Sequence, residues 1–179
     1  MKSFNDLLIN RRSTRKFTGE KLNADETALI LRAALLAPTS KNSHSWEFIV
    51  VEDKEMLQKL SHCKPTSATF IENAALAVVV AGNPLASDVW VEDASIASIC
   101  MQLQAEDLDI GSCWVQVRER NHSDTVTATA YINDLLNLPM PLEVLAIIAF
   151  GKKEKTRAPH DPDNLLWEKV HIGVFQTKE

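Results

Sequence analysis

Two stretches, residues 76–81 and 144–150, are apolar at every position. A strand with one wet face alternates polar and apolar residues. The run at 76–81 has no such alternation and reads as a strand covered on both faces. The run at 144–150 reads as another strand of the same sheet. Two shorter runs, 46–51 and 113–117, are apolar and β-branched enough to add two more. Helical patterns alternate with these strands, which places the chain in the α/β or α+β class with a central sheet.

The helix signals are local. Ser3 with Asp6, and Asn23 with Glu26, form capping boxes. The first helix is expected to end near Arg11. The second carries Leu29, Ile30, Ala33, Ala34 and Ala37 at helical spacing and ends at Pro38. Asp53 caps a short helix to about Leu60. The longest pattern covers 87–108. Its apolar residues fill more than one stripe, so it is buried in the core or against a partner. Gly111 reads as its terminator. His122 or Ser123 opens a last helix to about Leu136, closed by Pro139 and Pro141. Gly151 is expected to stop the fourth strand, and a charged, proline-containing tail runs to Glu179. Without repeats or linkers, 1–179 reads as one domain.

The charge pattern narrows the function. The chain has 19 Lys plus Arg against 24 Asp plus Glu, a net charge of −5. Nucleic acid, which needs many phosphate contacts, is a poor partner for it. The basic residues concentrate at 11–21 and 152–157, a distribution that suits a small anionic ligand. Three widely spaced cysteines provide neither a disulfide framework nor metal-ligand spacing, so no metal is expected. No signal peptide and no bilayer-length apolar run are present, which makes cytoplasmic residence the expectation.

Three segments could carry chemistry. Residues 11–17 read Arg-Arg-Ser-Thr-Arg-Lys-Phe. In an extended chain Arg11, Ser13 and Arg15 share one face, with Arg12, Thr14 and Lys16 on the other. Two guanidiniums and a hydroxyl suit a phosphate ester; the competing reading is a solvated basic run. The loop at 38–46 offers Ser40, Asn42 and His44 to a heteroaromatic edge, unless it is ordinary turn chemistry. The stretch 152–157 lets Lys155 and Arg157 return to the ligand held by Arg11, unless it is a solvated tail. Asp93 could orient a basic partner but reads more simply as a helix-surface charge. Neither a Gly-x-Gly-x-x-Gly after a strand nor a Gly-Lys-Ser/Thr loop occurs. Any phosphate must be held by side chains.

Taken in order, these segments resemble the FMN-dependent nitroreductase family. Residues 11–17 are similar to its Arg-x-Ser-x-Arg/Lys-x-Phe motif. Residues 38–46 are similar to its Pro-Ser-Ser-x-Asn-x-Gln-Pro-Trp motif, with His44-Ser45 in place of Gln-Pro. Asp109 to Trp114 resembles the segment that follows the family's long helix. Residues 139–151, then Lys155-Thr156-Arg157, resemble its last strand and basic tail. The family's flavin-contacting loop after the Cys-Trp segment is replaced here by Val115-Gln116-Val117-Arg118-Glu119-Arg120.

The resemblance implies an α+β fold with a central, mostly antiparallel sheet flanked by helices. It also implies a homodimer with FMN at the subunit interface. By resemblance, Arg11 and Ser13 hold the phosphate and ribityl chain together with Lys155 and Arg157. Arg12 lies on the same edge, and Arg15 acts electrostatically near the flavin pyrimidine ring. Ser40 and Asn42, with His44 beside them, reach the FMN of the other subunit. The implied activity is an FMN-dependent NAD(P)H oxidoreductase. It would use NADH or NADPH to reduce a nitro compound, a quinone or another small oxidant by ping-pong hydride transfer. The rivals are a flavin-binding protein for storage or sensing, or a related flavin enzyme such as a reductive dehalogenase or one that degrades its own flavin.

Overall fold

The computed structural model describes residues 2–176; Met1 and 177–179, which the one-domain reading includes, lie outside the described residues. The sheet has four strands among the described residues: β1 (Trp46–Val51), β2 (Leu76–Gly82), β3 (Ile110–Gln116) and β4 (Glu143–Lys152). Their order is β1-β2-β4-β3, and every neighbouring pair is antiparallel. Among the described residues five α-helices surround it: α1 (Phe4–Asn10), α2 (Ala24–Leu35), α3 (Lys54–Ser61), α4 (Trp90–Asp107) and α5 (Ala128–Leu136). The architecture is α+β.

The unbroken apolar runs follow from two-sided cover. Ala77, Val79, Ile147 and Ala149 face a layer that includes Leu57 and Leu60 of α3 and Ile132 of α5. Leu76, Val78, Ile148 and Phe150 face the other layer, with Ile30 and Ala34 of α2 and Ala94, Ala97 and Met101 of α4. Every residue of β2 is buried. Burial of each large aliphatic or aromatic side chain contributes about 1.5–3 kcal/mol. A polar residue at any of these positions would lose that and leave a group without water.

Both capping boxes form. The Ser3 hydroxyl accepts from the Asp6 N–H at 3.1 Å, and Asp6 accepts from the Ser3 N–H at 3.0 Å. Asn23 Oδ1 accepts from the Glu26 N–H at 2.9 Å, and Glu26 accepts from the Asn23 N–H at 3.0 Å. Asp53 caps α3 as expected, through the Met56 N–H at 2.9 Å.

Five boundaries differ from expectation. The strand expected over 113–117 already begins at Ile110. The long helix starts at Trp90, with Val89 as its cap residue, not at 87. It ends without Gly111: the chain turns at Asp109, with φ 57°, and Gly111 is already inside β3. Gly151 does not stop β4, which continues to Lys152. The last helix opens at neither His122 nor Ser123. Thr127 caps it, accepting from the Ala130 N–H at 3.1 Å. The broad apolarity of α4 divides in two. Ala94, Ala97 and Met101 enter the core, whereas Ile96 and Ile99 are 40% and 39% exposed.

Cys63 and Cys113 are buried and Cys100 is half-buried. Burial raises all three thiols, Cys63 to about 11. As thiols they suit core packing and not nucleophilic chemistry.

An ion pair between Lys152 and Glu26 ties β4 to the start of α2. The Lys152 hydrogen bond, followed by that from the Asn23 N–H, holds the Glu26 carboxyl below its ordinary 4.5. A carboxylate lowered in the folded state stabilises it above that ordinary value, and the contribution disappears as pH falls through the folded one. Glutamine keeps the capping bond but not the charge. Glu26→Gln is therefore expected to cost about 1 kcal/mol at neutral pH in urea melts. The gap to wild type should close as the pH drops well below 4.5; a constant gap would show that the ion pair is not its source.

Candidate functional site

After α1 the chain stays extended, and the basic segment lies across the ends of β3 and β4. The Thr14 N–H donates to the Ser112 carbonyl at 2.9 Å, and the Thr18 N–H donates to the Lys152 carbonyl at 3.1 Å. Ser13 bridges to Ser112, and Phe17 to Lys153. Two glycines permit this approach. A Cβ on Gly111 would sit 2.7 Å from Thr14 Cγ2, and one on Gly151 would sit 2.8 Å from the Phe17 ring. Thr14 and Phe17 are the inward residues, buried against those glycines. Beneath them, Gln102 Nε2 of α4 donates to the Ser112 hydroxyl at 3.3 Å.

The chain beyond β4 returns to the same place. Arg157 Nη1 donates to the Ser13 carbonyl at 3.3 Å. The Arg12 guanidinium donates to the Ala158 carbonyl. The His160 N–H donates to the Ile9 carbonyl at 2.9 Å. Between the two segments lies a cleft of about 340 Å³, walled by Ser13, Thr14, Arg15, Lys16, Lys155 and Arg157. The Arg15 guanidinium carbon stands 6.0 Å from the centre of the Phe70 ring.

The electrostatics of this end are one-sided. The nearby carboxylates already have partners. Glu106 and Asp109 each meet Lys153 at 3.0 Å, and Glu26 takes Lys152. The Lys153 hydrogen bond lowers the Asp109 carboxyl from its ordinary value. Among the described residues, Arg15, Lys16, Lys155 and Arg157 have no carboxylate within ion-pair distance. A cleft whose cations lack counter-charges is built to receive an anion.

The sequence-predicted residues divide into groups. Ser13, Arg15, Lys155 and Arg157 converge on the cleft. Arg11 is half-buried at the end of α1, outside the cleft wall, and close enough to Cys113 to favour its thiolate against burial. Arg12 contacts Ala158 rather than the cleft. Ser40, Asn42 and His44 are elsewhere in the same chain. Their loop is tied to Asp93 near the start of α4, with Ser40 N–H to Asp93 Oδ1 at 2.9 Å. Ser112, to which Ser13 of the cleft wall bridges, instead meets α4 at Gln102, nine residues on, or about 14 Å along the helix at 1.5 Å per residue. His44 packs edge-on against Trp46, with ring centres 5.5 Å apart.

One residue was misread in the sequence and another escaped it. Asp93 is 3% exposed rather than a surface charge. The signal was available: it shares the buried stripe of Trp90, Ala94 and Ala97 at helical spacing. Lys64 is half-buried, and burial lowers its ammonium while Cys63 and Cys113 oppose that shift. It had no motif to mark it. No group of three or more potential metal ligands occurs among the described residues, and no helix there is long and apolar enough to cross a membrane.

Comparison with known proteins bears on this arrangement. The sequence model of the Nitroreductase family matches residues 8–66 and 61–152. A protein of Archaeoglobus fulgidus, provisionally named NADH dehydrogenase/NAD(P)H nitroreductase, is 32% identical over 162 residues, or 88% of this chain and 90% of its own length. An FMN-dependent nitroreductase of Clostridium difficile R20291 superposes with a TM-score of 0.93 at 42% identity, covering 94% of this chain and 98% of that one. An iodotyrosine deiodinase of Thermotoga neapolitana is 32% identical over 74 residues, 41% of this chain and 40% of its own. The family match runs from α1 to the end of β4 and includes the basic segment seated on that strand. This chain belongs to the nitroreductase family.

Proposed function

We propose that the chain is an FMN-dependent NAD(P)H oxidoreductase that reduces a nitro compound, a quinone or a similar small oxidant. The observation that carries this reading is the set of four cations around the 340 Å³ cleft, none of which has a carboxylate partner among the described residues. The names of the Archaeoglobus and Clostridium relatives support it. The donor set fits a phosphate ester: a serine hydroxyl, an ammonium and a guanidinium reach into one wall. When bound, FMN supplies two-electron redox chemistry between a nicotinamide and an oxidant.

The chain's own residues bind and tune. Ser13, Lys155 and Arg157 would hold the phosphate and ribityl end, and the Ser13 carbonyl keeps the Arg157 guanidinium aimed there. Arg11 and Arg12 would add positive potential along the same edge. Arg15 would set a fixed positive charge at the pyrimidine end, an electrostatic and not a proton-transfer role. One cleft would serve donor and oxidant in turn, which gives ping-pong kinetics.

The same reading makes the protein a homodimer whose second copy brings Ser40, Asn42 and His44 to the flavin. The distance between loop and cleft within one chain supports a site completed by two chains. Exposed apolar residues support the association. Phe4 of α1 is 66% exposed, and the tail exposes Trp167, Ile172, Val174 and Phe175. Exposed apolar surface of this extent marks association sites.

Three measurements test these points. Stopped-flow mixing of the FMN-loaded protein with NADH or NADPH should bleach the flavin, and a nitroaromatic or quinone should restore it. A flavin that stays oxidised for minutes with both nucleotides leaves the flavin-binding reading in its place. Arg157→Ala should weaken FMN at least about tenfold, the value of one charge-assisted contact, and leave riboflavin binding unchanged. Equal losses for both flavins would remove Arg157 from the phosphate. In sedimentation, dilution should release flavin and dissociate the dimer together. A monomer that keeps stoichiometric FMN would rule out the shared site.

A further inference from the structure

Asp93 sits in the first turn of α4, where the helix N-terminus favours a carboxylate, yet two costs remain. Its carboxylate is buried, and among the described residues no cation pairs with it. Both oxygens go to a single loop. Oδ1 accepts from the Ser40 N–H at 2.9 Å, and Oδ2 accepts from the Ser43 hydroxyl at 3.3 Å. Two neutral donors offset only part of the desolvation of a carboxylate. The second cost lies in the loop. Lys41, Asn42 and His44 have φ of 50°, 57° and 47°, and none is glycine.

Asparagine and histidine adopt left-handed backbone more readily than most residues, but at Lys41 it is costly and persists only where the surroundings hold it. Here Asp93 fixes the loop from α4. Within the loop, Thr39 Oγ1 accepts from the His44 N–H at 3.2 Å, and the Ser40 carbonyl accepts from the Ser43 N–H at 2.9 Å. A polar connection between a helix and a strand has unstrained alternatives. The side chains this geometry displays are also left free. The Ser40 hydroxyl, the Asn42 amide and the His44 imidazole make no hydrogen bond among the described residues, and Asn42 and His44 are exposed.

We infer that Asp93 is a positioning residue: it locks the 39–44 loop into the strained form that presents Ser40, Asn42 and His44 to the flavin held by a second copy of the chain. This rests on the proposed function, in which that loop completes the partner's flavin site. The ordering is done in advance by a buried carboxylate, so the ligand need not do it on binding. On that reading the loop would serve the heteroaromatic edge and not the phosphate, so Asp93 would affect FMN and riboflavin alike, in contrast to Arg157.

The test uses the full-length dimer loaded with flavin. Affinities for FMN and riboflavin are measured by flavin fluorescence for wild type, Asp93→Ala and Asp93→Asn, alongside hydrogen exchange of residues 39–44. Asp93→Ala is expected to weaken both flavins by about tenfold, the value of one or two side chains ordered on binding. Asparagine retains one acceptor and should give a smaller loss for both. The Ser40 amide should lose protection in each variant. Unchanged affinity for both flavins, with or without a lower melting temperature, would make Asp93 purely structural and overturn the inference. Should the alanine variant not fold, the asparagine variant decides: exposed loop amides with wild-type flavin affinity overturn it. A wild-type protein that takes up no flavin refutes the proposed function first, and this inference with it.

Discussion

The structure depends on the pairing of β2 with β4. Both strands are covered by side-chain layers on each face, so their N–H and C=O groups have no water and must satisfy one another. Antiparallel pairing with each other on one side, and with β1 and β3 on the other, does this. The middle of the sheet is thereby committed to stability, and the cleft is left to its margins. β3, an edge strand, uses its outer side to take up the basic segment through Ser13 and Thr14. The cleft is an edge feature resting on a saturated centre.

Charge is distributed with the same economy. The last residues of β4 and the segment after it carry Lys152, Lys153, Lys155 and Arg157 in close succession. The first two are consumed by Glu26, Glu106 and Asp109, which brace helices to the sheet. The next two have no such partner among the described residues. Adjacent cations thus have different tasks, set by which carboxylates the helices can deliver. The like charges left at the cleft repel one another, and an incoming dianion relieves that repulsion.

What could be read from the sequence was what depends on near neighbours. The capping boxes, the doubly apolar strands and the order of the three polar segments all appear where expected, because each signal is complete within a few residues. The failures concern residues whose reason lies far along the chain. Gly111 and Gly151 look like terminators, yet they are glycine because Thr14 and Phe17 pack on their Cα atoms. Ser123 does cap, but it caps a turn by accepting from the Val126 N–H at 3.2 Å, and the helix waits for Thr127. The burial of Asp93 has a local signal, but what its carboxylate holds does not, since Ser40 and Ser43 are 53 and 50 residues away.

The stitching of the two basic segments has a consequence for how the molecule is made. Arg12 and Ala158 are 146 residues apart, and Arg157 and Ser13 are 144 apart. The segment that forms one wall of the cleft therefore leaves the ribosome well over a hundred residues before the other. The early segment also waits for β3 and β4, on whose ends it lies. Contacts of such sequence separation form late and slowly. The cleft therefore comes into being only after the segment with Lys155 and Arg157 has been made. Until then an unneutralised run of four cations is carried on an unfinished chain, beside the polyanionic RNA of the machine that makes it.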